Sequence, residues 1–310
     1  MISVEEAISL AVDAFPNGPE QIVERLGITV RYADMDGCDG WCIASPERAL
    51  IRVNSKLPSA ARRFTLAHEL SHILLGIPAV VGESYGDMLS SNNAEERRVN
   101  SLAGDLLLPS EVVISTLQTP PIVAAALTAL AKKGNVSELA TAVRVCNIAD
   151  RVGLQNASVI SFDDGTVRWQ WSKTLRMDNE TAKRLLVRTR TEQNSVARIE
   201  RDADVIVAST IENRYFGSAI LFVQLLSKEL GLALSPHERR KQLEQQLLTD
   251  NKFQQRVSGL MGAHKPRTTG MTLDGAVQLF WERNQQKLAG TPLDSELGRE
   301  YVEIRIRDWV

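Results

Sequence analysis

Two histidines and a glutamate stand in the order His68-Glu69-Leu-Ser-His72. On a helix, residues four apart share one face, so both imidazoles can present a nitrogen to a single ion. Imidazole suits Zn²⁺, and Glu69 stands where it can act as a base toward a water. The chemistry open to such a set is metal-assisted hydrolysis of a peptide bond. A surface helix that merely carries three polar residues is the alternative. The flanks Phe64-Thr-Leu-Ala and Ile73-Leu-Leu oppose it, because they are apolar and call for a buried helix. A buried helix bearing His, Glu and His needs something to satisfy those groups, and a metal does so.

A third ligand must come from elsewhere in the chain. No His-x-x-Gly-x-x-His extension follows His72, which excludes a three-histidine metzincin set. A carboxylate is the natural alternative. The next helical stretch, Ala94 to Leu108, has an apolar stripe of Val99, Leu102, Ala103, Leu106 and Leu107. Glu95 and Glu96 flank that stripe almost symmetrically, and periodicity does not choose between them. Asp105 falls on its polar side.

The elements around the motif can be read from spacing. Pro58-Ser59 predicts the start of the metal helix with Ser59 as cap, and Gly76 its end. Two short helices precede it, over Glu5–Phe15 and Glu20–Gly27. Strands are expected at Ile28–Tyr32, Trp41–Ile43 and Ala49–Asn54. The fold class is therefore α+β, a small mixed or antiparallel sheet packed on the helical His-Glu-x-x-His core. A sheet edge beside the metal could hold a peptide as an added strand. The stretch from Ile77 to Asn93 reads as a loop over the cleft, on which Tyr85 could stabilise an oxyanion.

Phe64-Thr-Leu-Ala-His-Glu-Leu-Ser-His-Ile-Leu-Leu-Gly, followed by Glu-x-x-Val-Asn-x-Leu-Ala-x-x-Leu-Leu-Leu-Pro, resembles the ImmA/IrrE family of metallo-endopeptidases. That family's second motif runs Glu-x-x-Ala-Asn-x-Phe-Ala-x-x-Leu-Leu-Met-Pro, and its leading Glu is the third zinc ligand. The resemblance therefore implies Glu96. Val99, Leu102 and Leu108 replace the usual Ala, Phe and Met, apolar for apolar. The resemblance covers about residues 1–150.

The chain has 310 residues, a net charge of −2 and 44% hydrophobic residues. The length suggests two domains, taken as 1–152 for the peptidase and 153–310 for a second α+β domain with a regulatory or substrate-docking role. The charge is not the footprint of a nucleic-acid binder. Arg97-Arg98, Arg188-x-Arg190 and Arg239-Arg240-Lys241 read as solvated helix faces. No signal peptide opens the chain and no run of apolar residues is long enough to span a membrane. Three cysteines, Cys38, Cys42 and Cys146, fit a reducing compartment and a cytoplasmic location. They read as free thiols, with redox sensing or capping of the metal as the sharper idea.

Beyond Pro109 the pattern gives helices over Ile122–Lys133 and Leu139–Ile148, with Asn135 to Glu138 at capping-box spacing. The pair invites a DNA-binding reading, but only Arg144 is basic on the second helix, so packing is the expectation. Asp164-Gly165 predicts a hairpin turn. Val167, Trp169 and Trp171 beyond it fall on one strand face, expected in the core. Asp204–Ala208 and Ser218–Leu226 are further strands, and from Ser235 the pattern is helical. His237 and His264 have no companions at ligand spacing and are expected on the surface.

The expectation from the residues is a zinc endopeptidase with Glu69 as base and His68 and His72 as ligands. The resemblance adds Glu96 and implies a bacterial or phage stress or defence response. It also implies a protein substrate, a helix-turn-helix transcriptional repressor acting in trans. A module of the same fold that sequesters a repressor or toxin without cutting it is the alternative.

Overall fold

The computed structural model describes residues 2–45, 48–78, 93–117, 120–154, 156–172, 175–191, 196–201, 203–213 and 218–310. Helix α1 (Val4–Asp13) is capped by Ser3, whose hydroxyl accepts from the Glu6 N–H, and α2 (Gly18–Arg25) follows. A Cβ at Gly18 would lie 2.8 Å from the Ala11 backbone, so the close approach of these two helices needs a glycine there. Strands β1 (Thr29–Ala33), β2 (Gly40–Ala44) and β3 (Ala49–Asn54) form a sheet in the order β1-β3-β2. The β1–β3 pair is parallel, with Val30 opposite Ile51, and β2–β3 is antiparallel, with Cys42 opposite Ile51. Ile51 and Val53 pack with Leu66 and Leu70 of α3 (Ser59–Leu75) and with Leu102 and Leu106 of α4 (Ala94–Leu107). Ala7, Ala11 and Ile22 close this core from the other side. Ser59 is the first helical residue of α3 rather than its cap. Pro58 holds the cap position and has no side-chain oxygen to offer.

Beyond α4 lie α5 (Ser110–Thr116), α6 (Ala124–Gly134) and α7 (Glu138–Asn147). Asn135 ends α6 in the left-handed region at φ +49°. Ser137, not Asn135, caps α7, accepting from the Ala140 N–H at 3.1 Å. The pair is a packing unit. Arg144 is 5% exposed and donates to the Leu108 carbonyl and the Ser110 hydroxyl, and it pairs with Asp105.

A second sheet follows, antiparallel throughout, in the order β5-β4-β8-β7-β6. Its strands are β4 (Asn156–Asp163), β5 (Thr166–Trp171), β6 (Val196–Glu200), β7 (Asp204–Asn213) and β8 (Ser218–Ser227). Asp164 and Gly165 turn the first hairpin, both at positive φ. A register shift opposite Ser161 and Phe162 places Val167 and Trp169 on different faces. Trp169 and Trp171 pack toward the helices α6 and α7, and Val167 packs on the far face. The one-faced stripe expected from alternation is thus broken by a bulge. Both faces of this sheet are covered. Val159, Val205, Val207 and Phe222 join Leu127, Leu130 and Val145 in one core. Ile160, Ile206, Leu221 and Val223 pack on Leu185 and Leu186 of α8 (Asn179–Thr191). This explains the unbroken apolar runs Val205–Ala208 and Ile220–Val223, which a one-sided sheet would not show.

The chain forms two compact units, Met1–Leu232 and Ala233–Val310. The expected division at 152/153 falls inside the first of them. Gln224 on β8 shows the continuity. It is fully buried, accepts from the Ile122 N–H at 2.8 Å and donates back to the Ile122 carbonyl. Gln224→Leu would leave both backbone groups buried and unpaired, at a cost of about 2 kcal/mol. A urea titration should show the midpoint fall with the slope unchanged, and an unmoved midpoint would refute the clamp.

Helix α9 (Lys228–Leu232) follows β8, and the second unit holds α10 (Pro236–Leu247), α11 (Asn251–His264), α12 (Leu273–Leu288) and α13 (Glu296–Arg307) around Leu243, Phe280, Tyr301 and Val302. Ser235 and Glu238 form a full capping box at the start of α10. No helix among the described residues is long and apolar enough to cross a membrane.

Candidate metal centre

Helix α3 is buried from Arg63 to Leu74, and its polar residues point into the interior. His68 and His72 are each 2% exposed. Glu96 stands in the first turn of α4, where Asn93 caps the helix by accepting from the Glu95 N–H at 2.9 Å. The two glutamates that periodicity could not separate part company here. Glu96 is 2% exposed and faces the histidines, while Glu95 is exposed.

The three side chains converge. His68 Nε2 lies 3.1 Å from His72 Nε2 and 3.6 Å from Glu96 Oε2, and His72 Nε2 lies 3.7 Å from Glu96 Oε1. Ligand atoms about 2.0–2.2 Å from a tetrahedral zinc stand roughly 3.3–3.5 Å from one another. The observed separations bracket that spacing.

The far sides of the rings decide what the near sides can do. His68 Nδ1 lies 3.0 Å from Asn100 Oδ1, and His72 Nδ1 lies 3.1 Å from the Ile77 carbonyl. Both partners are acceptors, so each Nδ1 carries the hydrogen and each Nε2 is left with a lone pair. Two lone pairs therefore face each other next to a carboxylate whose buried Oε2 has no hydrogen-bond partner. Only a cation satisfies that arrangement without rearrangement. Two nitrogens and a carboxylate oxygen are donors that zinc accepts readily, so the residues fit a divalent ion.

Burial, and then the neighbouring His72, pushes the His68 imidazole down to about 4. Protons therefore do not compete for its lone pair near neutral pH. Burial and then Glu95 raise the Glu96 carboxyl, the shift expected of an acid held away from water.

Gly76 ends α3 at φ +64°, and this left-handed turn brings the Ile77 carbonyl back onto His72. Glu69 is 3% exposed and lies against the edge strand β2. A Cβ at Gly40 would sit 2.3 Å from Thr65 and 3.4 Å from the Glu69 side chain, so strand and helix meet where only glycine fits. Cys42, two residues along the same face, hydrogen-bonds Glu69. Burial first, then Glu69, raises its thiol well above the usual range, and burial likewise raises Cys38. Reactive thiols have the opposite shift. Cys146 is buried.

Tyr85 lies outside the described residues, as does most of the loop expected over the cleft. His237 is half-buried beside Arg240. His264 is a correction: it is 2% exposed and inside the second unit, because its ring finds a carbonyl and an aromatic neighbour there. Asn100, the Ile77 carbonyl and Cys42 were not foreseen as partners of the site. The signal for Asn100 was present, since it stands one helical turn after Glu96.

A helix carrying two histidines and a glutamate, completed by a carboxylate from the next helix, defines a metallopeptidase-type centre. Residues 23–145 match the family described as IrrE N-terminal-like domain, Peptidase_M78. The resemblance to the ImmA/IrrE family of metallopeptidases therefore holds for this segment, about two fifths of the chain. Over 116 residues it is 34% identical to the Radiation response metalloprotease IrrE of Deinococcus deserti, a match covering 36% of this chain and 40% of that protein. The match thus spans less than half the length of that relative. Among solved structures, a Mycobacterium tuberculosis transcriptional regulator aligns with a TM-score of 0.44 at 14% identity, over 71% of this chain and 74% of that one.

Proposed function

We propose that the chain is a cytoplasmic zinc endopeptidase that cleaves a regulatory protein, a helix-turn-helix transcriptional repressor supplied in trans, during a bacterial or phage stress or defence response. The observation that supports the catalytic part is the pair of Nε2 lone pairs facing Glu96, with both Nδ1 hydrogens already committed. The stress setting draws on the relative, which is named a radiation response metalloprotease.

His68, His72 and Glu96 hold the ion. Zinc bound by them supplies Lewis acidity to the scissile carbonyl and to the attacking water. Glu69 takes the proton of that water and returns it to the leaving amine. Its buried position keeps the carboxylate out of bulk solvent, and the Cys42 thiol restrains its orientation. Among the described residues, strand β2 has one edge without a paired strand, since β3 occupies the other. A substrate segment added there would run beside Glu69, extended and with its backbone hydrogen-bonded.

Elemental analysis tests the ligand set. Wild type should carry about one zinc per chain, His72→Ala and Glu96→Gln should carry almost none, and Glu95→Gln should be as wild type. Metal loss in Glu95→Gln with retention in Glu96→Gln would overturn the assignment. Mixing with a candidate repressor tests the rest. Products that vanish with chelator mark a peptidase, and a stable, uncut complex marks a sequestering module.

A further inference from the structure

The second compact unit carries a feature that the peptidase reading leaves unused. Between α11 and α12 lies a hollow of about 240 Å³, lined in part by His264, Arg267, Arg283, Asn284 and Lys287. Arg283, Asn284 and Lys287 fall on one face of α12 by their spacing. Arg267 comes from the short 3₁₀ turn after α11. Three of these side chains are cations, and no acid lines the hollow.

Four other cations of this unit are matched by acids. Arg239 faces Glu300, Arg240 faces Asp308, Arg305 faces Glu244 and Arg307 faces Glu303. Arg267, Arg283 and Lys287 form no ion pair among the described residues. Arg256 adds a further positive charge close by, donating to the Lys287 carbonyl at 2.6 Å. Convergent like charges raise the local potential and favour an anion.

A second observation comes from the buried side chains. His264 Nε2 lies 2.8 Å from the Ala276 carbonyl, and its ring stands edge-on to Phe280 with centroids 5.3 Å apart. Nε2 must therefore carry the hydrogen, which leaves Nδ1 an acceptor. That Nδ1 is buried and has no hydrogen-bond partner. Asn284, 7% exposed, donates one amide hydrogen to the Phe280 carbonyl.

We propose that this hollow binds a phosphate group, as inorganic phosphate or as a small phosphate monoester. Guanidinium forks from Arg267 and Arg283 match phosphate oxygens, and Lys287 adds a point charge. Inorganic phosphate keeps at least one P–OH near neutral pH, and that hydroxyl is the donor that His264 Nδ1 lacks; a monoester supplies a donor only as its monoanion or through a hydroxyl of its organic part, as glycerol 3-phosphate has. Sulfate and carboxylates carry no such proton and would leave the nitrogen unpaired. The inference is independent of the peptidase reading.

Isothermal titration of the full chain at low ionic strength tests it, with inorganic phosphate, sulfate and glycerol 3-phosphate as separate ligands. The comparison chain is Arg267→Gln/Arg283→Gln, whose substituted residues are exposed, with its fold checked by circular dichroism. Wild type should bind one phosphate per chain, and the double variant about tenfold or more weakly. Sulfate should bind more weakly than phosphate to wild type. Tighter binding of phosphate than of glycerol 3-phosphate would make the free anion the occupant, and the reverse order would make it an organic phosphate. The proposal fails if neither phosphate ligand gives saturable heat or if the double variant binds as wild type. Equal affinity for sulfate and phosphate would also overturn it, because only a patch of charge would then be at work.

Discussion

Glu69→Gln is expected to hold zinc as wild type does and to cleave about 10²–10⁴-fold more slowly, the range over which a positioned acid–base group acts. The substitution keeps size and hydrogen-bonding capacity, so the contact with β2 survives. It removes only the ability to take a proton. His68, His72 and Glu96 are untouched, and their Nδ1 partners Asn100 and Ile77 lie elsewhere on the chain. The informative experiment therefore measures two quantities on one sample, zinc per chain and the rate of product formation. Zinc retained with cleavage lost places the proton transfer on Glu69. Zinc retained with cleavage near the wild-type rate would remove it from that role. Loss of both would mean that Glu69 supports the site structurally, a different conclusion from the one proposed.

Arg63→Ala should destabilise the first unit by about 4 kcal/mol, in the range for stripping one partner from a buried charge network. Arg63 is 8% exposed and stands five residues before His68 on α3. Its guanidinium donates to the Gly134 carbonyl at 2.6 Å and the Asn135 carbonyl at 3.0 Å, and also to the Pro16 carbonyl. It pairs with Glu20 through Nε at 2.7 Å and Nη2 at 3.2 Å. One side chain thus ties α3 to α2, to the chain just after α1 and to the turn between α6 and α7. Alanine leaves three carbonyls and a half-exposed carboxylate without their donor. Arg63→Lys keeps the charge but loses the planar fork, so it should fall between the two. Denaturant melts of the three proteins give the order directly. A loss under about 1 kcal/mol for Arg63→Ala would mean that water replaces the guanidinium.

The metal helix was legible because its chemistry is local. Histidines four apart share a face on any helix, and apolar flanks report burial without reference to the rest of the fold. Glu96 was not legible from periodicity, because the choice from Glu95 depends on how α4 rolls against α3. The hairpin at Asp164-Gly165 could be read from its turn residues, but the bulge that divides Val167 from Trp169 could not. The parallel pairing of β1 with β3 is a matter of strand order, which alternation does not encode. Arg188-x-Arg190 was read as a helix face, but the bounds of α8 were not, because α8 is mostly polar and held by a narrow line of Ala182, Leu185 and Leu186; strand β6 was not read. Arg188 and Arg190 on it do face outward, the latter onto Glu212. His264 misled because a lone histidine without ligand companions reads as surface, whereas a single carbonyl sufficed to bury it.

The core that runs across residue 153 separates what is inherited from what can fold. The family match ends at 145, so a fragment trimmed to it would keep every metal donor. It would also lay bare Leu127, Leu130 and Val145, whose other wall is Val159, Val207 and Phe222. It would strip Ile122 of the amide on Gln224 that pairs its backbone. Such a fragment is a poor candidate for expression, and a cut after Leu232 is the better one. The same reasoning sets a condition on any chimera. A replacement for the second sheet must bring both a matching apolar face and a side chain able to pair with Ile122.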